Sequence, residues 1–185
     1  MNTKMNKSEG QGTGKALSQI ARRSIEAVFR GDVEKPAIAV AGILGERHGV
    51  FVTIRGRRGK LRGCVGTLTP HFANTAEETW RVARDAAFLD GRFAPVDAHE
   101  LEHLHFEVSV LFPLEEVTST AELDPRRYGV VLATEDNRRG VLLPDVKGIK
   151  TVGQQLATAR LKGGIGEFEP VRIQRFAVKK FREED

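Results

Sequence analysis

Val50-Phe51-Val52-Thr53-Ile54, Arg55-Gly56-Arg57-Arg58-Gly59 and Leu61-Arg62-Gly63-Cys64-Val65-Gly66 run almost without a break, and their reading decides the fold. The first segment is β-branched and aromatic and reads as a strand. The second is a glycine-punctuated turn. The third leads into a returning strand over Leu61 to Leu68, so the unit is a β-hairpin. Helical spacing flanks it on both sides. Leu17, Ile20, Ala21, Ile25, Val28 and Phe29 recur at three- and four-residue steps from Lys15, and Gly31 stops that helix. Thr75 and Glu78 have the spacing of a capping box for a helix that runs to about Leu89 and buries Trp80, Val82, Ala83, Ala86 and Ala87.

Further along, Asp97 to Leu104 reads as a short helix and His105 to Phe112 as a strand. Tyr128 to Thr134 and Gly140 to Leu143 read as two more strands. Thr151 with Gln154 caps another helix, which ends near Gly163-Gly164. The last strand is Val171 to Val178. Its apolar positions change parity, which predicts a β-bulge near Gln174-Arg175. Hairpins and helices mix without strict strand-helix alternation. The fold class is therefore α+β, with an antiparallel or mixed β-sheet and helices packed on it. Residues 1–14 are polar and glycine-rich and read as a disordered tail, with one domain over 15–183.

Composition narrows the function classes. The chain has 185 residues, a net charge of +4 and one cysteine, Cys64, so no internal disulfide can form. That fits a reducing compartment, and a cytoplasmic location is expected. The longest apolar run, Ala37 to Leu44, has eight residues, against the roughly 20 that a membrane-spanning helix needs. From Glu46 to Arg62 there are six basic residues and one acid. This reads either as a solvated arginine-rich hairpin or as an anion surface. A nucleic-acid role is disfavoured because no stacking aromatics sit beside the charge.

Five segments carry candidate chemistry. In Arg62-Gly63-Cys64-Val65-Gly66, strand alternation puts Arg62 and Cys64 on one face. A guanidinium there favours the thiolate, as a nucleophile or ligand needs, and the glycines let a ligand approach the backbone. The same cysteine also reads as a buried gap-filler. His48 and His71, flanking the hairpin, are candidate proton-transfer partners. Asp90 and Arg92 at a helix exit read as a structural ion pair or as an anion holder with its base. His99-Glu100-Leu101-Glu102-His103 matches the letters of a zinc-protease motif. The helix is short, however, and Asp97 with Glu100 serves as its N-terminal cap, so no metal is assigned. Lys162-Gly-Gly-Ile-Gly166 follows a helix instead of preceding one and reads as a glycine cap rather than a phosphate cradle.

Taken in order, several of these pieces resemble the AMMECR family. They are His48-Gly-Val-Phe-Val-Thr53, Gly59-Lys-Leu-Arg-Gly-Cys-Val-Gly66, Ala86-Ala-Phe-Leu-Asp90 with Arg92-Phe93, Glu100-Leu101 with Glu107-Val-Ser-Val-Leu111, Arg139-Gly-Val-Leu-Leu-Pro144 and Val171-Arg-Ile-Gln-Arg-Phe176. The resemblance implies an antiparallel sheet with packed helices, and a smaller lobe beside a main one. It also implies a family without an established biochemical activity and without an assigned cofactor. The family is associated with Memo-like and radical-SAM proteins, which suggests a shared modification pathway. Its hallmark marks Arg62, Gly63, Cys64 and Gly66 here, with Asp90, Arg92, Glu107 and Ser109 as further ligand-binding candidates. Two departures stand out: Asp145 where relatives often carry Gln, and a shortened segment after Pro144.

Overall fold

A computed structural model describes residues 7–32 and 41–183 of the chain. Residues 1–6 of the expected tail, and Ala37 to Val40, lie outside the described residues. The chain divides into two compact units, Met1–Leu111 with Lys179–Asp185, and Phe112–Val178.

The first unit is built on the hairpin. Strands β1 (Val50–Arg55) and β2 (Leu61–Gly66) pair antiparallel, and β1 pairs on its other edge with β3 (His105–Leu111). Helices α1 (Lys7–Arg30) and α2 (Thr75–Phe88) cover one face. Alternation sets which side chains they cover. Val50, Val52, Ile54, Phe106, Val108 and Val110 are buried with Leu17, Ile25, Trp80 and Ala83 in one core. The other face carries the odd-numbered residues of β1 and β3 together with Cys64 and Gly66.

Several elements differ from the sequence reading. Helix α1 begins at Lys7, ahead of the expected Lys15. Val28 and Phe29 are partly exposed, and Ala27 takes the buried position at that end. The cap of α2 is Asn74, whose side chain accepts from the Glu77 amide, not Thr75. Glu78, expected to close a capping box, is instead fully buried. Its carboxylate accepts from the Thr67 hydroxyl (2.7 Å) and from the His71 and Phe72 amides (2.8 and 2.9 Å). It thereby fixes the loop that carries the chain from β2 into α2. The segment 97–104 is a 3-10 turn, Ala98–His103, with the Asp97/Glu100 capping box in place.

The second unit has strands β4 (Glu115–Glu116), β5 (Tyr128–Ala133), β6 (Arg139–Leu142) and the residues to 178 of β7 (Arg172–Arg182). Strand β5 lies between β6 and β7, and β4 pairs with β7. Helix α3 (Val152–Gly163), capped by the expected Thr151/Gln154 box, packs on one face against Val130, Leu132, Leu142 and Ile173. Gly164, at φ 62°, closes it in the left-handed conformation.

The expected bulge in β7 is absent. Its register against β5 runs unbroken from Tyr128↔Ala177 to Ala133↔Arg172. The parity change arises because each face is buried at a different stretch. Ile173 faces the α3 core, whereas Phe176, on the opposite face, is buried over Gly129, where a Cβ would lie 2.3 Å from its ring.

Candidate functional site

Strand β2 contains the residues singled out from sequence, and pairing with β1 determines what each can do. The register passes from Ile54↔Gly63 to Arg55↔Leu61, so Arg62 is an extra residue in a β-bulge. The alternation that would have put Arg62 beside Cys64 is broken there. The Arg62 guanidinium instead makes two 2.8 Å bonds to the Glu100 carboxylate and also donates to the Ala94 and Pro95 carbonyls (2.7 and 3.1 Å). The hydrogen bond that Arg62 donates to Glu100 raises the pKa of Arg62, and the same contact lowers that of Glu100. Arg62 is thus a clamp between the hairpin and the 94–100 segment. The Glu100 carboxylate, held by Arg62 and by the Asp97 amide, is not free to activate water. Among the described residues no group of three or more His, Cys, Asp or Glu side chains could hold a metal ion.

The two glycines of the motif are also committed to packing. A Cβ on Gly63 would lie 2.1 Å from the Ala86 carbonyl oxygen of α2, and one on Gly66 would lie 2.2 Å from the Phe51 ring. The space expected for a ligand beside the backbone is filled at both positions, once by a helix and once by an aromatic ring.

Cys64 is different. Its main chain is held by the loop after α2: its amide donates to Asp90 Oδ2 (2.9 Å) and its carbonyl accepts from Arg92 Nη2 (3.0 Å). Asp90 and Arg92 are joined by Nε–Oδ1 and Nη2–Oδ2 bonds of 2.9 and 2.7 Å. Arg92, backed by the Cys64 amide, depresses the pKa of the buried Asp90 carboxyl far below the ordinary carboxylate range. Asp90 in turn raises that of Arg92, and the Cys64 sulfur acts on Arg92 in the same direction. The cation beside Cys64 is therefore Arg92, with its side chain 58% exposed, and not Arg62. The half-buried thiol has Thr53 Oγ1 at 3.5 Å.

Thr53 pairs with Cys64 on one side and with Glu107 on the other, so the three form a row across the sheet face that the helices leave uncovered. Gly66, Phe51 and Ser109 form the next row. Glu107 accepts from Arg182 Nε at 2.7 Å. The Ser109 hydroxyl is buried and has no hydrogen-bond partner among the described residues. The fold thus gathers Cys64, Asp90, Arg92, Glu107 and Ser109 on or beside one face, together with Thr53, which the sequence reading passed over as one more strand residue.

His48 is not brought into this group. Its Nδ1 donates to the Leu111 carbonyl (3.0 Å) and its Nε2 lies 2.9 Å from Glu46. It stands five residues before Thr53, about 16 Å along the strand direction. His71 is exposed and contributes its amide to Glu78.

The comparisons with known proteins agree with this architecture. The AMMECR1 family model matches residues 18–181. A protein of Thermotoga maritima is 43% identical over 165 residues, covering 88% of this chain and 94% of that one. A protein of Clostridium acetobutylicum is 41% identical over 137 residues, covering 74% of this chain but only 29% of its own, longer length. Among solved structures, that of an uncharacterised protein from Pyrococcus horikoshii superposes with a TM-score of 0.83 at 30% identity, covering 92% of this chain and 91% of the other. No helix among the described residues is long and apolar enough to cross a membrane. On the span of the family match and the similarity along nearly the whole chain, the protein belongs to the AMMECR1 family.

Proposed function

We propose that the surface at Cys64 and Arg92 binds a small anionic molecule, or an anionic modified side chain of another protein. In this reading Arg92 orients the anion and the Cys64 thiol is the group that reacts with or ligates it. The observation that carries it is the Arg92 guanidinium, fixed by Asp90 yet open to solvent, beside a thiol within reach. An immobilised cation next to a sulfur favours the approach of an anion.

Paired alkylating reagents test this. Anionic iodoacetate and neutral iodoacetamide attack the same sulfur, so their rate ratio reports the local field. Arg92→Gln should lower the iodoacetate-to-iodoacetamide ratio at Cys64 severalfold, while Arg62→Gln leaves it unchanged. An unaltered ratio in the Arg92 variant would sink the proposal.

A second reading is a non-catalytic accessory of a Memo-like and radical-SAM modification system, the association that the family resemblance implies; the Clostridium relative, in which the matching stretch is a minor part of a longer chain, favours only its accessory character. It expects Cys64→Ser to keep full co-purification with such partners. The nucleic-acid reading of the hairpin gains less. Arg55 donates to the Gly59 carbonyl, Arg57 to His103 and Arg62 to Glu100, so these cations are partly spent within the protein.

A further inference from the structure

The second unit contains a cavity of about 490 Å³ at the β5–β6 turn, lined by Thr134, Glu135, Asn137, Arg139 and Arg172 among others. Its size falls in the range of small-molecule sites. Its charge follows from the register. Ala133 pairs with Arg139 on β6 and with Arg172 on β7, so both arginines leave the sheet on one face with only a methyl group between them. Two strand spacings put their Cα atoms roughly 10 Å apart, close enough for both guanidiniums to converge on one group.

Two neighbouring arginines of this unit, Arg138 and Arg175, are paired with carboxylates, whereas these two have no close acidic partner. Arg138 bonds to Asp136 and Glu169. Arg175 bonds to Glu115 and lies over the Tyr128 ring. The Arg139 side chain has no hydrogen-bond or ion-pair partner among the described residues. Arg172 reaches only Glu116, at 3.8 Å between two largely exposed side chains, and Gln174 already holds that carboxylate at 2.8 Å. An exposed pair at that distance contributes little. Two uncompensated guanidiniums over a concave floor match the bidentate recognition of phosphate oxygens. Glu135 and Asn137 in the lining offer acceptors and donors suited to hydroxyl groups on the rest of the ligand.

We infer that this cavity is a binding site for a phosphorylated small molecule, with Arg139 and Arg172 together holding the phosphate. The site is independent of Cys64.

Calorimetric titration of the whole protein with inorganic pyrophosphate and with AMP, at matched ionic strength, tests it. Saturable one-to-one binding is expected for at least one probe. Arg139→Gln and Arg172→Gln should each weaken it about tenfold or more, while Cys64→Ser leaves it unchanged. Both arginines are exposed, so the variants should fold, and circular dichroism checks this. The inference is overturned if neither probe binds saturably at millimolar concentration. It is also overturned if the Arg139/Arg172 double variant retains wild-type affinity, or if Arg57→Gln in the hairpin abolishes binding instead. An acidic peptide that binds where the phosphates do not likewise refutes it.

Discussion

Replacing Gly63 with alanine separates a ligand-contacting role for this glycine from a packing one. The added Cβ would lie 2.1 Å from the Ala86 carbonyl oxygen and 3.1 Å from its carbon, and both atoms are helix backbone that cannot rotate aside. Contacts under 3.0 Å are essentially never seen for real Cβ atoms, so β2 and α2 must part by about 0.9 Å. A gap of that size forfeits a quarter to a half of the dispersion well for every atom pair across it. The Ile54 side chain, 3.6 Å from the same point, lies in that seam. Backbone-limited overpacking of this kind costs about 3 kcal/mol. Urea unfolding followed by circular dichroism should show the midpoint fall with the slope unchanged. Gly91→Ala is the control: nothing lies within 4 Å of its Cβ and its φ is not positive, so it should be neutral or stabilise by about 0.5 kcal/mol. If Gly63→Ala unfolds within about 0.5 kcal/mol of wild type, the strand–helix contact is not what requires glycine there, and the packing argument fails.

Other perturbations probe the clamps. Arg62→Ala strands the Glu100 carboxylate and two carbonyls and should cost roughly 1–2 kcal/mol in the same unfolding assay, with no change in the alkylation ratio at Cys64. Asp90→Asn should destabilise at neutral pH by about 1–3 kcal/mol. The folded-state pKa of Asp90 is depressed, so its stabilisation is complete above the unfolded value of about 3.9 and is lost as pH falls through the folded value. The gap between wild type and Asp90→Asn, measured by urea unfolding across pH, should therefore narrow below about pH 4; a constant gap would mean that the charge is irrelevant. Glu78→Leu leaves one hydroxyl and two amides without their acceptor and should cost roughly 3 kcal/mol or more, whereas Glu78→Gln, which keeps an oxygen, should cost less. Equal losses in the two would refute the hydrogen-bond assignment.

Much of the fold was legible because it is encoded locally. The hairpin, the buried face of α2, the Thr151/Gln154 cap and the glycine stops at Gly31 and Gly164 all follow from periodicity or from one residue's backbone preference. What could not be read depends on partners distant in sequence. Arg62 points away from Cys64 because of a bulge that exists only in the register between β1 and β2. Glu78 has the spacing of a cap, yet the 67–72 loop recruits it as a buried acceptor, and nothing in Thr75-Ala-Glu-Glu78 signals that. The parity change in β7 suggested a bulge, because from sequence alone a strand with two buried faces cannot be told from one that is interrupted.

The same geometry narrows where function can reside in the hallmark segment. Gly63 is required by the Ala86 carbonyl, Gly66 by the Phe51 ring, and Arg62 by Glu100 and two backbone oxygens. The Asp90–Arg92 pair spends its bonds on the main-chain atoms of Cys64. Any residue with an amide and a carbonyl would satisfy those bonds equally well, so they do not explain why the side chain is a thiol. The sulfur lies 3.5 Å from the hydroxyl of Thr53, a weak interaction for which serine would serve as well. The structural demands of the fold thus account for Arg62, Gly63 and Gly66 and stop at the side chain of Cys64. A half-buried thiol left over by packing, with the Arg92 charge held beside it, is the part of this segment that chemistry, rather than folding, has to explain.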